Sequence, residues 1–148
     1  MTTASGRRPK IRLALGVLAG IAIGTAAGQG IGAMKGPTEH QGLTVDTLAV
    51  VPEAVMQASI GLAGYQLQLR AITIEPGGQI AEHEHATRPG LVKVISGDWV
   101  EGRPGGEETY GAERRDGIVE DNETVHWFFN RGDVPATALV CDLVPPPA

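Results

Sequence analysis

From residue 43 onward the chain is built of short apolar runs broken by turn residues, and several runs alternate apolar with polar positions. A period of two places successive side chains on opposite faces of a strand. The pattern predicts strands at Leu43–Val51, Tyr65–Ile74, Ile80–His85, Leu91–Ile95, Trp99–Arg103, Glu107–Tyr110, Ile118–Glu120, Thr124–Asn130 and Thr137–Val144. Between them stand Pro76-Gly77-Gly78, Arg88-Pro89-Gly90, Gly97-Asp98, Pro104-Gly105-Gly106, Asp121-Asn122-Glu123 and Arg131-Gly132-Asp133, all ordinary turn chemistry. Residues 52–64 alone suit a short helical turn. Helices do not alternate with strands, so a parallel sheet is excluded, and an all-β sandwich or barrel remains.

The first 34 residues follow another rule. Arg7, Arg8, Lys10 and Arg12 precede a run, Leu13 to Met34, that holds no charged residue. Its most apolar part comes first, and small residues such as Ala26, Ala27 and Ala33 follow. That order is the order of a secretory signal. The run is also long enough for a hydrophobic helix that anchors the chain in a membrane. Glycines recur every fourth position from Gly16 to Gly32, as in helices that pack closely in lipid. Both readings keep the positive flank inside and export the remainder to the periplasm or another extracytoplasmic space. The expected organisation is a signal peptide or membrane anchor at 1–34, a polar linker at 35–42 with a solvated His40, and one domain at 43–148.

Composition adds mostly exclusions. A net charge of -5, with no basic run beyond the first dozen positions, argues against a nucleic-acid partner. The single cysteine, Cys141, rules out an intramolecular disulfide and reads as a small buried apolar residue. A homodimer is compatible with the sequence without being required by it.

The candidate chemistry lies in histidines. In His83-Glu84-His85 the two imidazoles share one strand face while Glu84 points the other way. His126 lies on a later strand, with Phe128 and Asn130 on its face. If the sheet curls, the three rings converge on one divalent cation, and imidazole suits several such metals.

The spacing around them resembles a known pattern. Gly77, five residues, His83, one residue, His85, and then Gly97 after a short apolar strand is similar to the first motif of the cupin superfamily. His126, three residues and Asn130 resemble the end of the second motif, with Asp116 and Ile118–Glu120 falling where that motif begins. The resemblance spans about residues 65 to 144. It implies a double-stranded β-helix, the jelly-roll barrel of cupins. It also implies one divalent metal ion (iron, zinc, manganese or nickel) on His83, His85 and His126. Two departures stand out. The glutamate that usually follows the second histidine is replaced by Pro89 and Gly90, and the turn before His126 is Asp121-Asn122-Glu123. The expected site therefore has three neutral ligands and no carboxylate. Arg88 is the candidate for contact with an anionic substrate. Two functions follow: a metal-dependent enzyme on a small molecule, with an iron (di)oxygenase as its expected form, or a non-catalytic module that binds or senses a small ligand.

Overall fold

A computed structural model describes residues 33–147, and the expected signal or anchor helix at 1–34 lies almost wholly outside them. Among the described residues no helix is long and apolar enough to cross a membrane. Eight strands and one helix follow in the order β1 (Gln41–Val51), α1 (Glu53–Ile60), β2 (Gln66–Glu84), β3 (Gly90–Ser96), β4 (Asp98–Arg103), β5 (Gly106–Gly111), β6 (Ile118–Glu120), β7 (Val125–Phe129) and β8 (Ala136–Val144).

The strands pair in the order β5-β4-β7-β2-β8-β3-β6, with β1 also on β2, and every pair is antiparallel. The sheet rolls up on itself, as the jelly roll implied by the resemblance requires. Nine strands were expected, and eight form, because the two segments around Pro76-Gly77-Gly78 are one strand, β2. Gly77 takes a left-handed φ of 74°, a conformation glycine adopts without penalty. The bend thus redirects the strand without ending it. Before the bend, Gln66–Ile74 pairs with β8 and β1, and beyond it Gln79–Glu84 pairs with β7. One strand therefore serves both layers of the roll.

Inward residues from both layers form one core, in which Ile74, Trp99, Phe128, Ala136 and Ala138 are at most 1% exposed. Burying each of the large ones contributes about 1.5–3 kcal/mol. On β8 the inward face is Ala136, Ala138, Val140 and Asp142. Cys141 therefore sits on the outward face and is half-buried, not in the core as expected from the sequence. The tripeptide Arg131-Gly132-Asp133 forms the turn between β7 and β8, and Arg131 grips Glu107 with two hydrogen bonds.

The segment before β1 is pinned along the barrel. Met34 N–H donates to Pro104 O, Gly36 N–H to Glu82 Oε2, and Glu82 N–H to Pro37 O. It covers Trp127, which is 1% exposed. A Cβ on Gly36 would meet the indole Cδ2 at 2.5 Å, and one on Gly102 would collide with the indole nitrogen. Glycine at both positions lets two backbones close over the ring.

Candidate metal centre

The sheet register assembles the site. His83 on β2 lies directly opposite His126 on β7, and facing side chains on antiparallel strands are neighbours. His85 follows two residues after His83 and shares its face, while Glu84 points to solvent as expected. His85 N–H donates to Thr124 O, which continues the β2–β7 ladder past its last strand residue. His126 Nε2 lies 3.2 Å from His83 Nε2 and 3.1 Å from His85 Nε2.

Every ring is oriented from behind. His83 Nδ1 donates to Ala81 O at 2.8 Å, His85 Nδ1 to Arg88 O at 2.8 Å, and His126 Nδ1 to a carboxylate oxygen of Glu101 at 2.7 Å. Acceptors at all three Nδ1 atoms require the proton there, so each neutral ring turns a bare Nε2 lone pair inward. Three lone pairs this close repel one another unless a cation lies between them. Imidazole nitrogens bind such an ion at about 2.0–2.1 Å, which spaces them about 2.9–3.4 Å apart across ordinary bond angles. The observed separations fall within that range.

A carboxylate completes the cluster. Glu120, 4% exposed, places Oε1 3.5 Å from His126 Nε2 and Oε2 3.4 Å from His85 Nδ1. The ligand atoms of His83, His85, Glu120 and His126 all lie within 4.8 Å of one another. Glu120 Oε2 is buried without a hydrogen-bond partner. An orphaned carboxylate oxygen beside three inward lone pairs fits a metal, since burying such a group uncompensated is costly.

The expected absence of a carboxylate is thereby corrected, and pairing supplies the reason. Glu120 on β6 lies opposite Gly90 on β3, one of the positions where the usual glutamate is missing. A Cβ at Gly90 would collide with Glu120 Oε2. The vacated position is thus the space the neighbouring strand's carboxylate enters. Its sequence signal is modest: Ile118 and Glu120 share a face, and Ile118 is core.

Glu101 is a second residue the motifs do not reveal. It is 2% exposed and accepts hydrogen bonds from His126 Nδ1 and Arg103 Nε. Burial alone pushes its pKa up, but the hydrogen bonds from His126 and Arg103 outweigh that and hold the carboxyl below its usual range. This charge fixes the His126 tautomer and makes its ring a stronger donor to a metal. His83 is lowered to about 4, first by burial and then by the cationic forms of His126 and His85. Burial likewise lowers His85. Glu120 is raised to about 7, mainly by burial.

His83, His85 and Glu120 of the cluster line one side of a cavity of about 290 Å³, with His126 buried behind them. Leu43, Val45, Ile72, Ile80, Val92, Trp99, Phe128 and Val140 give it apolar walls, while Arg70, Arg88 and His40 add polar groups. Arg88, the expected substrate contact, thus lines the same space as His83 and His85. His40 is exposed as expected, yet it has a partner. Its Nδ1 accepts from Ala81 N–H at 3.0 Å, so the neutral ring carries its proton on Nε2. Trp99 and Trp127 are buried, and Asn130 ties the strand end together through Ile74 O, Val134 O and Gly132 N.

Residues 70–142 match the family model of the cupin domain. Among solved structures the chain is similar to the cupin domain of an XRE-family transcriptional regulator from Enterobacter cloacae, at 19% identity and a TM-score of 0.53, covering 72% of this chain and 100% of that one. It is also similar to a predicted oxalate decarboxylase from Thermotoga maritima, at 15% identity and 0.53, covering 77% and 94%. An oxalate oxidase in complex with glycolate matches at 21% identity and 0.51, covering 72% of this chain but only 53% of the oxidase. No curated protein matches significantly. With the jelly roll, the two motifs and the His83–His85–Glu120–His126 cluster in place, the chain belongs to the cupin superfamily.

Proposed function

We propose that this protein is a metal-dependent enzyme acting on a small molecule, of the iron oxygenase type, outside the cytoplasm. The observation that carries the reading is the convergence of three Nε2 lone pairs and one carboxylate on a solvent-connected cavity with apolar walls. His83, His85, His126 and Glu120 would hold the metal. A bound iron would supply one-electron chemistry toward oxygen, which none of these side chains possesses.

The residues themselves perform the remaining work. The carbonyls of Ala81 and Arg88 and the carboxylate of Glu101 hold the Nδ1 protons of the three imidazoles, so each neutral ring presents its Nε2 lone pair to a metal. Trp99, Phe128 and Ile80 exclude water from one side of the cavity and leave room for an apolar substrate body. Among the described residues the lining has no serine, threonine, cysteine, tyrosine or lysine. A covalent mechanism on a hydroxyl, thiol or amine therefore has no candidate in the lining, and in this reading turnover depends on the bound metal. The same observation favours the second reading, a non-catalytic binding or sensing module, if turnover fails. The similar structures include an oxalate oxidase, a predicted oxalate decarboxylase and the domain of a transcriptional regulator. These similarities accord with both readings. Export rests on the basic and uncharged pattern of residues 7–34.

The test begins with protein purified without added metal, its metal identified and counted by mass spectrometry. Oxygen uptake on a compound panel follows. About one iron per chain with substrate-dependent uptake supports the enzyme. Iron without uptake on any compound removes the oxygenase and leaves the binding module.

A further inference from the structure

The same cavity holds a second polar group that the metal does not use. Asp142 on β8 has a fully buried side chain. Arg70 Nη2 donates to its Oδ2 at 2.7 Å, and Arg88 Nε stands 3.7 Å from the same oxygen. Two guanidinium groups thus face one carboxylate, which leaves one positive charge uncompensated. Glu120 does not balance it where a cation occupies the cluster, because its charge is then spent on that ion.

The hydrogen bonding is as incomplete as the charge. Arg70 Nε and Asp142 Oδ1 are buried without partners. The Arg88 guanidinium has only the long Asp142 contact, although its backbone carbonyl holds the His85 ring. Buried polar atoms are seldom left unpaired, and a native exception calls for a cause such as a missing ligand. A guanidinium presents a planar fork of donors that matches a carboxylate in two parallel hydrogen bonds.

We propose that the cavity binds a small organic carboxylate, its anionic head on Arg88 against the Arg70–Asp142 pair and its apolar body along Ile72, Val92 and Val140. The inference rests on the reading of this cavity as a substrate site and names the substrate class, an amphipathic monocarboxylic acid. Asp142 fixes Arg70 in place, and Arg88, with a side chain 36% exposed, is free to close on the ligand. A purely polar ion would leave the apolar walls unused, and a neutral apolar molecule would leave the extra guanidinium charge unmet.

The test uses the full chain as isolated, with measured metal content. Calorimetric titration compares butanoate, 3-methylbutanoate, benzoate and phenylacetate, each beside its primary amide. The expected result is saturable binding of at least one acid, with its amide weaker by about tenfold or more, as loss of a charged hydrogen-bonded pair implies. Arg88→Gln is expected to abolish that preference for the acid while leaving metal content unchanged, and Arg88→Lys to restore part of it. Equal affinity for acid and amide, no binding by any acid, or an undiminished preference in Arg88→Gln each overturns the proposal. The last outcome would mean that the acid sits on the metal alone. Binding is read without turnover, so this inference and the oxygenase reading fail separately. Acid binding without oxygen uptake removes only the oxygenase, and uptake driven equally by amides removes only the carboxylate.

Discussion

The cavity contains two polar clusters built on opposite principles. In the histidine cluster every ring is fixed by an acceptor at Nδ1, so its donors are aimed before a ligand arrives. In the Arg70–Asp142–Arg88 group, donors and acceptors are buried but left open. On the proposed reading the first suits an ion that stays and the second a molecule that comes and goes. Rigidity and incompleteness, side by side, separate a resident cofactor from a transient substrate.

The strongest way to break this contrast is to remove an imidazole. Replacing His83, His85 or His126 singly with alanine is expected to take bound metal from about one per chain to near none, measured by metal analysis after gel filtration. Chelation should act in the same direction on stability. A metal present at about a thousand times its dissociation constant contributes about 4 kcal/mol, so the melting temperature should fall on stripping and recover on re-addition.

Next in size is the orienting carboxylate. Glu101→Gln keeps the volume but removes the charge behind His126. Metal affinity should fall about 10- to 100-fold, with competition against a chromophoric chelator as the measurement. An unchanged affinity would show that His126 needs no charge behind it, since the amide oxygen of glutamine can still accept its Nδ1 proton.

The third prediction concerns the carboxylate that entered from the neighbouring strand. Glu120→Gln should weaken metal binding less than loss of a histidine does. Gly90→Ala should weaken it comparably without altering any ligand, because the new methyl group displaces the carboxylate. The double variant Gly90→Glu with Glu120→Gly should recover much of the loss. If Glu120→Gln binds metal like the parent protein, Glu120 is not a ligand. Arg88→Gln, the mildest change, should leave metal content untouched and so mark the boundary between the two clusters.

Much of this was legible in the chain. The His83-x-His85 pair states its own face, and every expected strand position is recovered to within a few residues. What escaped the sequence depends on pairing. Glu120 is a ligand candidate only because β6 lies beside β3 in a register that sets it against Gly90, and no local period records that register. Glu101 was hidden for a related reason. On β4 the residues from Trp99 to Gly102 are all buried, so the alternation that normally separates inside from outside is lost. The outer face of the neighbouring β7 is covered too, by the segment around Gly36. Cys141 was assigned to the wrong face because Leu139 and Leu143 look like core, whereas the inward row ends in a charged residue, Asp142. The bend at Gly77 looked like a strand end because glycine marks both.

Gly90 has a consequence of its own. It owns no donor atom, yet it decides how many donors the centre has, because its missing side chain is the room Glu120 occupies. A lineage can therefore trade a neutral centre for an anionic one by gaining or losing a single methyl group at a residue that never touches the ion. Counting ligands by motif position would miss the exchange each time.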